Sequence, residues 1–133
     1  MGTKINVSSN NFFEGSIKVA FATNDSKNIN AHFGGASQFI VYDIGKISHE
    51  ISTIIKVDSK DTDKTVTLLT GVDILFIMKI GPTAAAKVIN NGIFPIKNKD
   101  IVPINDELEK LSMMLNNNPP PFIKKILDRK AVA

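Results

Sequence analysis

Val72-Asp73-Ile74-Leu75-Phe76-Ile77-Met78, followed after two residues by Gly81-Pro82-Thr83-Ala84-Ala85-Ala86, is the stretch that decides the fold. A nearly unbroken apolar run of this length reads as a central strand covered on both faces, which requires helices above and below a sheet. Gly81-Pro82 then opens a helix with proline at its first position, running through Val88 and Ile89 to Gly92, where glycine closes it. The three alanines let the helix backbone lie close to the sheet. Ile93 to Lys97 completes a strand–helix–strand unit.

Working back toward the start, Ile17, Val19 and Phe21 alternate with Lys18, Ala20 and Ala22, the period of a strand. Asn24 to Asn30 is a long polar turn. Gln38 to Ile44 and Ile51 to Val57 read as the two arms of a hairpin turning at Gly45-Lys46. Asp63 to Thr70 reads as a short helix closed by Gly71. Downstream, Ile104, Leu108, Leu111 and Leu115 fall on one face of a third helix, and Asp106 with Glu109 has the spacing of a capping pair. Pro119, Pro120 and Pro121 end that helix, and Phe122, Ile123, Ile126 and Leu127 mark a last amphipathic one. An antiparallel hairpin feeding two strand–helix units predicts an α/β domain with a mixed five-stranded sheet flanked by helices, the layout of a ribonuclease-H-like motif. That scaffold hosts many unrelated functions.

The 133 residues suit one domain. Residues 1–15 read as a polar, flexible lead-in interrupted by Phe12 and Phe13, and residues 16–130 as the folded body. With 43% hydrophobic and 22% charged residues the composition is that of a soluble globular protein. No apolar run approaches the ~20 residues needed to cross a bilayer, the start lacks a signal-peptide layout, and Asn6 stands where a myristoylation motif wants Ser or Thr. A cytoplasmic protein with no membrane partner is expected. The net charge of +3, with scattered lysines and one arginine, argues against nucleic acid. The chain has no cysteine, which removes disulfides, thiol catalysis, four-sulfur zinc sites and thiolate-held iron–sulfur clusters.

Among residues that could carry chemistry, His32 leads. It follows the polar turn, is bordered by Gly34-Gly35, and belongs at the carboxyl end of the first body strand, the end where open α/β sheets bind ligands. Imidazole is a good neutral ligand to iron, and glycines allow a ligand close to backbone N–H groups. By residue type alone, a lone loop histidine is more often simply solvated. His49, beside Glu50, needs no function and should lie at the opposite end of the sheet. The Gly81 corner offers a weak anion cradle from which Pro82 removes one donor. A metal-dependent nuclease would need Asp25, Asp43 and Asp73 to converge, and solvated turn acids explain them more simply. No serine near His32 has an orienting acid.

Several segments together resemble a known family. Val19-Ala20-Phe21-Ala22-Thr23-Asn24-Asp25, Asn30-Ala31-His32-Phe33-Gly34 and Phe39-Ile40-Val41-Tyr42-Asp43 resemble the opening of the NifX-type nitrogenase accessory domains. Ile80-Gly81-Pro82-Thr83-Ala84-Ala85-Ala86 and Gly92-Ile93-Phe94-Pro95-Ile96-Lys97 resemble their middle, and Asn118-Pro119-Pro120-Pro121-Phe122-Ile123 their close. The resemblance spans about residues 17 to 127. It implies a non-enzymatic carrier for the iron–molybdenum cofactor of nitrogenase or its iron–sulfur precursor, passed between the protein that builds it and the scaffold that matures it. Carried onto this chain, it implies His32 as the cluster's metal ligand. Asn30, Phe33, Gly34, Lys27 and Gly81 are cofactor-binding candidates beside it. Backbone donors, lysines such as Lys27 or Lys79, or another protein would help a single imidazole hold an anionic cluster. Three positions depart from the family's pattern: Val72 where cysteine is frequent, Phe94 where histidine is frequent, and Phe122 where tryptophan is usual. The first two remove candidate second ligands. An interaction module that has kept the fold and lost its cargo is the alternative.

Overall fold

The computed structural model describes residues 2–6, 16–58 and 60–131. Its elements run β1 (Gly2–Asn6), β2 (Ile17–Thr23), β3 (Asn28–Ile29), a 3-10 turn (Phe33–Gly35), β4 (Gln38–Ile44), β5 (His49–Val57), α1 (Thr62–Leu68), β6 (Ile74–Ile77), α2 (Pro82–Asn90), β7 (Phe94–Lys97), β8 (Val102–Pro103), α3 (Ile104–Asn116) and α4 (Pro121–Ala131). The main sheet has the order β1-β5-β4-β2-β6-β7, and β3 pairs β8 in a separate two-stranded ribbon. β2 pairs antiparallel with β4 and parallel with β6, and β6 is parallel to β7. The expected mixed α/β sheet is therefore present, with its five strands as β5, β4, β2, β6 and β7.

A sixth strand was not expected. Gly2–Asn6 pairs antiparallel with β5, from Gly2 opposite Val57 to Asn6 opposite Thr53, inside the segment read as a lead-in. Ladder pairing is a backbone property, so an edge strand can form without the alternating pattern that marks a half-buried one. Phe12 and Phe13 lie outside the described residues.

Alternation along β2 sorts the core into two layers. Ala20 and Ala22 face a cluster with Val66, Leu69 and Val88 from the α1 and α2 side, while Ile17, Val19 and Phe21 face Ile104, Leu108, Leu111, Leu115, Ile123 and Ile126 of α3 and α4. Small residues on one face and large ones on the other set how closely each helix pair approaches. Of α2 only Val88 is fully buried, and Ile89 is turned outward. The acidic cap expected for α3 is not used. The helix begins at Ile104 behind Pro103, and the Ile104 N–H donates to the carbonyl of Lys27 at 2.9 Å. This backbone acceptor satisfies the N–H of the first helical residue, and Asp106 lies inside the first turn rather than at the cap position. Gly71 takes a φ of +94°, the left-handed conformation its place after α1 requires.

Leu108 is fully buried between α3 and the sheet. Leu108→Ala is expected to lower the unfolding free energy by about 2–5 kcal/mol in urea denaturation. Ile47→Ala, at a hairpin residue 98% exposed, should change it by no more than about 0.5 kcal/mol.

Candidate functional site

Beyond Thr23 the chain leaves β2 and makes a turn held almost wholly by its own side chains. The Thr23 hydroxyl accepts from the N–H groups of Asp25 and Ser26, at 3.3 and 3.0 Å. The Asp25 carboxylate accepts from the N–H groups of Lys27 and Asn28, both at 2.9 Å, and from the Asn28 carboxamide. These bonds hold Asp25 well below the usual carboxylate range, led by the Asn28 side chain. They also hold Ser26 at a φ of 67°, a conformation that costs a non-glycine residue energy elsewhere.

The following segment is stapled to the end of β6. The Met78 N–H donates to the Ala31 carbonyl at 3.0 Å, and the Phe33 N–H to the Lys79 carbonyl at 2.8 Å. Ala31 and Phe33 point inward, Phe33 against Phe39 with ring centroids 5.8 Å apart. His32 between them is left pointing outward, with Gly34 and Gly35 also exposed. The alternation of two anchors around one free imidazole fixes His32 through its neighbours.

A cleft of about 460 Å³ opens here, lined by Asn24, Asn30, Ala31, His32, Gly34 and Gly35. The side-chain Oδ1 of Asn30 accepts from the Asn24 N–H and the side-chain Oδ1 of Asn24 from the Ser37 N–H, each at 2.8 Å. With both amide oxygens committed to the loop, the two NH₂ groups are the remaining polar ends of these side chains. A Cβ built on Gly34 or Gly35 would meet nothing within 4 Å, and neither has a positive φ. The fold does not need glycine at either place, whereas a ligand approaching the backbone would.

Of the residues singled out from sequence, His32, Asn30 and Gly34 line one cleft. Phe33 does not line it, because its ring is a core anchor. Lys27 is exposed in the preceding turn, Lys79 is exposed beside the staple to Phe33, and Gly81 caps α2 at the same end of the sheet; all three lie outside the cleft lining. Asn24 was missed as a lining residue: nothing in the sequence sets it apart within the polar turn or pairs it with Asn30. His49 opposes Ile44 at one end of β4, while Thr23, which leads into the His32 loop, opposes Gln38 at the other end, so the two histidines lie at opposite ends of the sheet. Asp43 pairs with Lys18 at 2.7 Å, and Asp73 with Lys130 at 2.9 Å and Arg129 at 3.6 Å, near the start of β2 rather than at Asp25. No group of three or more His, Asp or Glu side chains is placed to hold a metal ion among the described residues. No described helix is long and apolar enough to cross a membrane.

A second concavity is larger, about 970 Å³, and lies at the opposite end of β6 and β7. Phe94 and Phe122, two of the departures from the family pattern, stack in it with centroids 4.9 Å apart and planes 19° apart. Size does not decide between the two concavities: the larger holds no histidine and is mainly apolar.

An α/β domain with a loop histidine at the carboxyl end of its central strands is the class that fold and cleft define. Residues 15–114 match the model of the family described as dinitrogenase iron-molybdenum cofactor, and the chain belongs to that family. It is 32% identical to Protein NifX of Rhodobacter capsulatus, over 84% of this chain and 77% of that one. It is 35% identical to Protein NifX of Sinorhizobium fredii, over 90% of this chain and 82% of that one. The solved protein PH0822 shares the fold with a TM-score of 0.60 at 23% identity, over 72% of this chain and 88% of that one. The family match ends within α3, so α4 lies beyond it.

The turn bonds make a pH prediction. A carboxylate whose folded pKa is depressed stabilises the fold above its ordinary value of 3.8 and loses that contribution as pH falls toward the folded value. Asp25→Ala should therefore melt lower than wild type at about pH 7, and the gap should narrow as pH falls below about 4, with part of it still present at about pH 2. Thermal melts followed by circular dichroism at the two pH values read this directly.

Proposed function

We propose that this chain holds the iron–molybdenum cofactor of nitrogenase, or its iron–sulfur precursor, in the His32 cleft and passes it between cofactor-assembly proteins of the cytoplasm, without turnover of its own. The observation that carries this reading is the outward imidazole on a pinned loop, followed by two sterically unneeded glycines, in a chain of a family described by that cofactor. The strand order β5-β4-β2-β6-β7, with β2 antiparallel to β4 and parallel to its other neighbour, supports reading the scaffold as a ribonuclease-H-like motif.

The residues divide the work by chemistry. His32 offers a neutral nitrogen to an iron atom of the cargo. The carboxamide N–H groups of Asn24 and Asn30 and the loop backbone donate to cluster sulfur or to an anionic ligand on it. Lys79 and Lys27 add positive charge at the rim, attracting an anionic cargo from a distance. No thiolate is available, since the chain has no cysteine. One imidazole supported by hydrogen bonds suits a carrier, because a cargo held through few bonds leaves quickly when a better set of ligands is offered. The nuclease reading loses support, because Asp25 is separated from Asp43 and Asp73 by the length of β2.

Anaerobic titration of isolated precursor cluster onto wild type, His32→Ala and His49→Ala tests the assignment. Loss of one ligand should weaken binding by about tenfold or more in His32→Ala, with His49→Ala unchanged. Equal affinity in all three would remove His32 as a ligand.

A further inference from the structure

The groove at the far end of the sheet is built from Phe94 at the start of β7, the buried Ile93 before it, and Phe122, Lys125 and Arg129 of α4, with Ile89 projecting from α2. Its apolar side chains are only partly covered: Phe94 is 45% and Ile89 57% exposed. An exposed stacked aromatic pair beside an outward isoleucine is the kind of contiguous apolar surface that marks an interaction site.

The charges around it say what kind of occupant fits. Asp73 is the one acidic lining residue, it is buried, and Lys130 and Arg129 already face it. That leaves Arg129 shared, with its side chain 55% exposed, and Lys125 exposed without a carboxylate partner among the described residues. The rim therefore carries cationic groups in excess of anionic ones over an apolar floor. A segment seated here gains by burying apolar side chains on the Phe94–Phe122 stack while offering carboxylates to Lys125 and Arg129.

The edge strand limits how such a segment can bind. The Phe94 N–H donates to the Asp73 carbonyl and the Asn98 N–H to the Ile77 carbonyl, both toward β6. By alternation the residue after Phe94 would direct its N–H outward, and that residue is Pro95, which has none. Addition of a further strand is thereby disfavoured, and recognition falls to side chains.

We propose that this groove docks a short apolar segment bearing carboxylates, contributed by a protein partner, at the end of the sheet opposite the His32 cleft. A chain can then be held by one end while its other end is loaded or emptied. The docking argument stands on the groove alone and does not require His32 to bind cargo.

The test is selection of random peptides displayed on phage against the full-length protein, with counter-selection on Phe94→Ser, followed by fluorescence anisotropy with the selected peptides. Phe94 is exposed on an edge strand and Lys125 is on the surface, so neither substitution threatens the core. The expected peptides carry acidic residues next to apolar ones. They should bind wild type and His32→Ala equally, and bind Phe94→Ser and Lys125→Glu more weakly by about tenfold. Failure to enrich any Phe94-dependent peptide, or enrichment of peptides that bind Lys125→Glu as well as wild type, overturns the proposal. Sedimentation of the protein alone supplies a further check. A wild-type dimer that Phe94→Ser dissociates would make a second copy the occupant and overturn the partner assignment. Loss of peptide binding in His32→Ala would show the two ends to be one site.

Discussion

Asp73 is 5% exposed at the foot of the central strand, and a buried carboxylate must find both hydrogen bonds and opposite charge or it destabilises the fold. Here it finds them from two directions. Its carboxylate accepts the Lys18 N–H at 2.8 Å while its own N–H donates to the Lys18 carbonyl at the same distance, joining β6 to β2. Lys130 and Arg129 approach from α4, and the Asp73 carbonyl receives the Phe94 N–H of β7. The side chain of Lys18 reaches the other way to Asp43 on β4. One buried acid and one lysine thus tie β4, β2, β6, β7 and α4 together at the same end of the sheet. Removing only one partner of such a set would leave a desolvated charge, which costs more than the set contributes when complete.

At the opposite end the organisation is local. Thr23, Asp25, Asn24 and Asn30 hold the loop through side-chain bonds to nearby backbone, and the two staples to residues 78 and 79 fix it against β6. The sheet between the ends is packed on both faces, so the loop and the groove are carried on one rigid body without sharing any lining residue. The proposed roles use this separation: the groove assigned to a partner shares no lining residue with the cleft assigned to the cargo.

Sequence alone reveals those parts of the architecture that depend on periodicity. β2, the hairpin, the proline start of α2 and the leucine face of α3 all follow from spacing, and each was located to within a few residues. What it could not reveal depends on residues distant in the chain. The α3 start escapes because the helix begins at Ile104, two residues before the expected cap, with its first N–H taken by the distant carbonyl of Lys27. The β3–β8 ribbon is two residues long and has no pattern, and β1 pairs through its backbone at an edge. For the site, the glycine-bordered histidine was visible. The inward turn of Phe33 became clear only once Phe39 lay beneath it, and Asn24 joined the cleft only through its bond with Asn30. Phe94 and Phe122 could be seen singly as departures from a family pattern, but their stacking required the fold.

The Asp73 arrangement also has a bearing on how the chain is made. Synthesis delivers β2, β4 and β6 well before α4, and domains assemble from the amino end as the chain emerges. Until α4 arrives, the Asp73 carboxylate stands at the open end of an otherwise pairable sheet, where water rather than Lys130 must solvate it. α4, made after every strand of the sheet, brings the cations that complete the surroundings of Asp73.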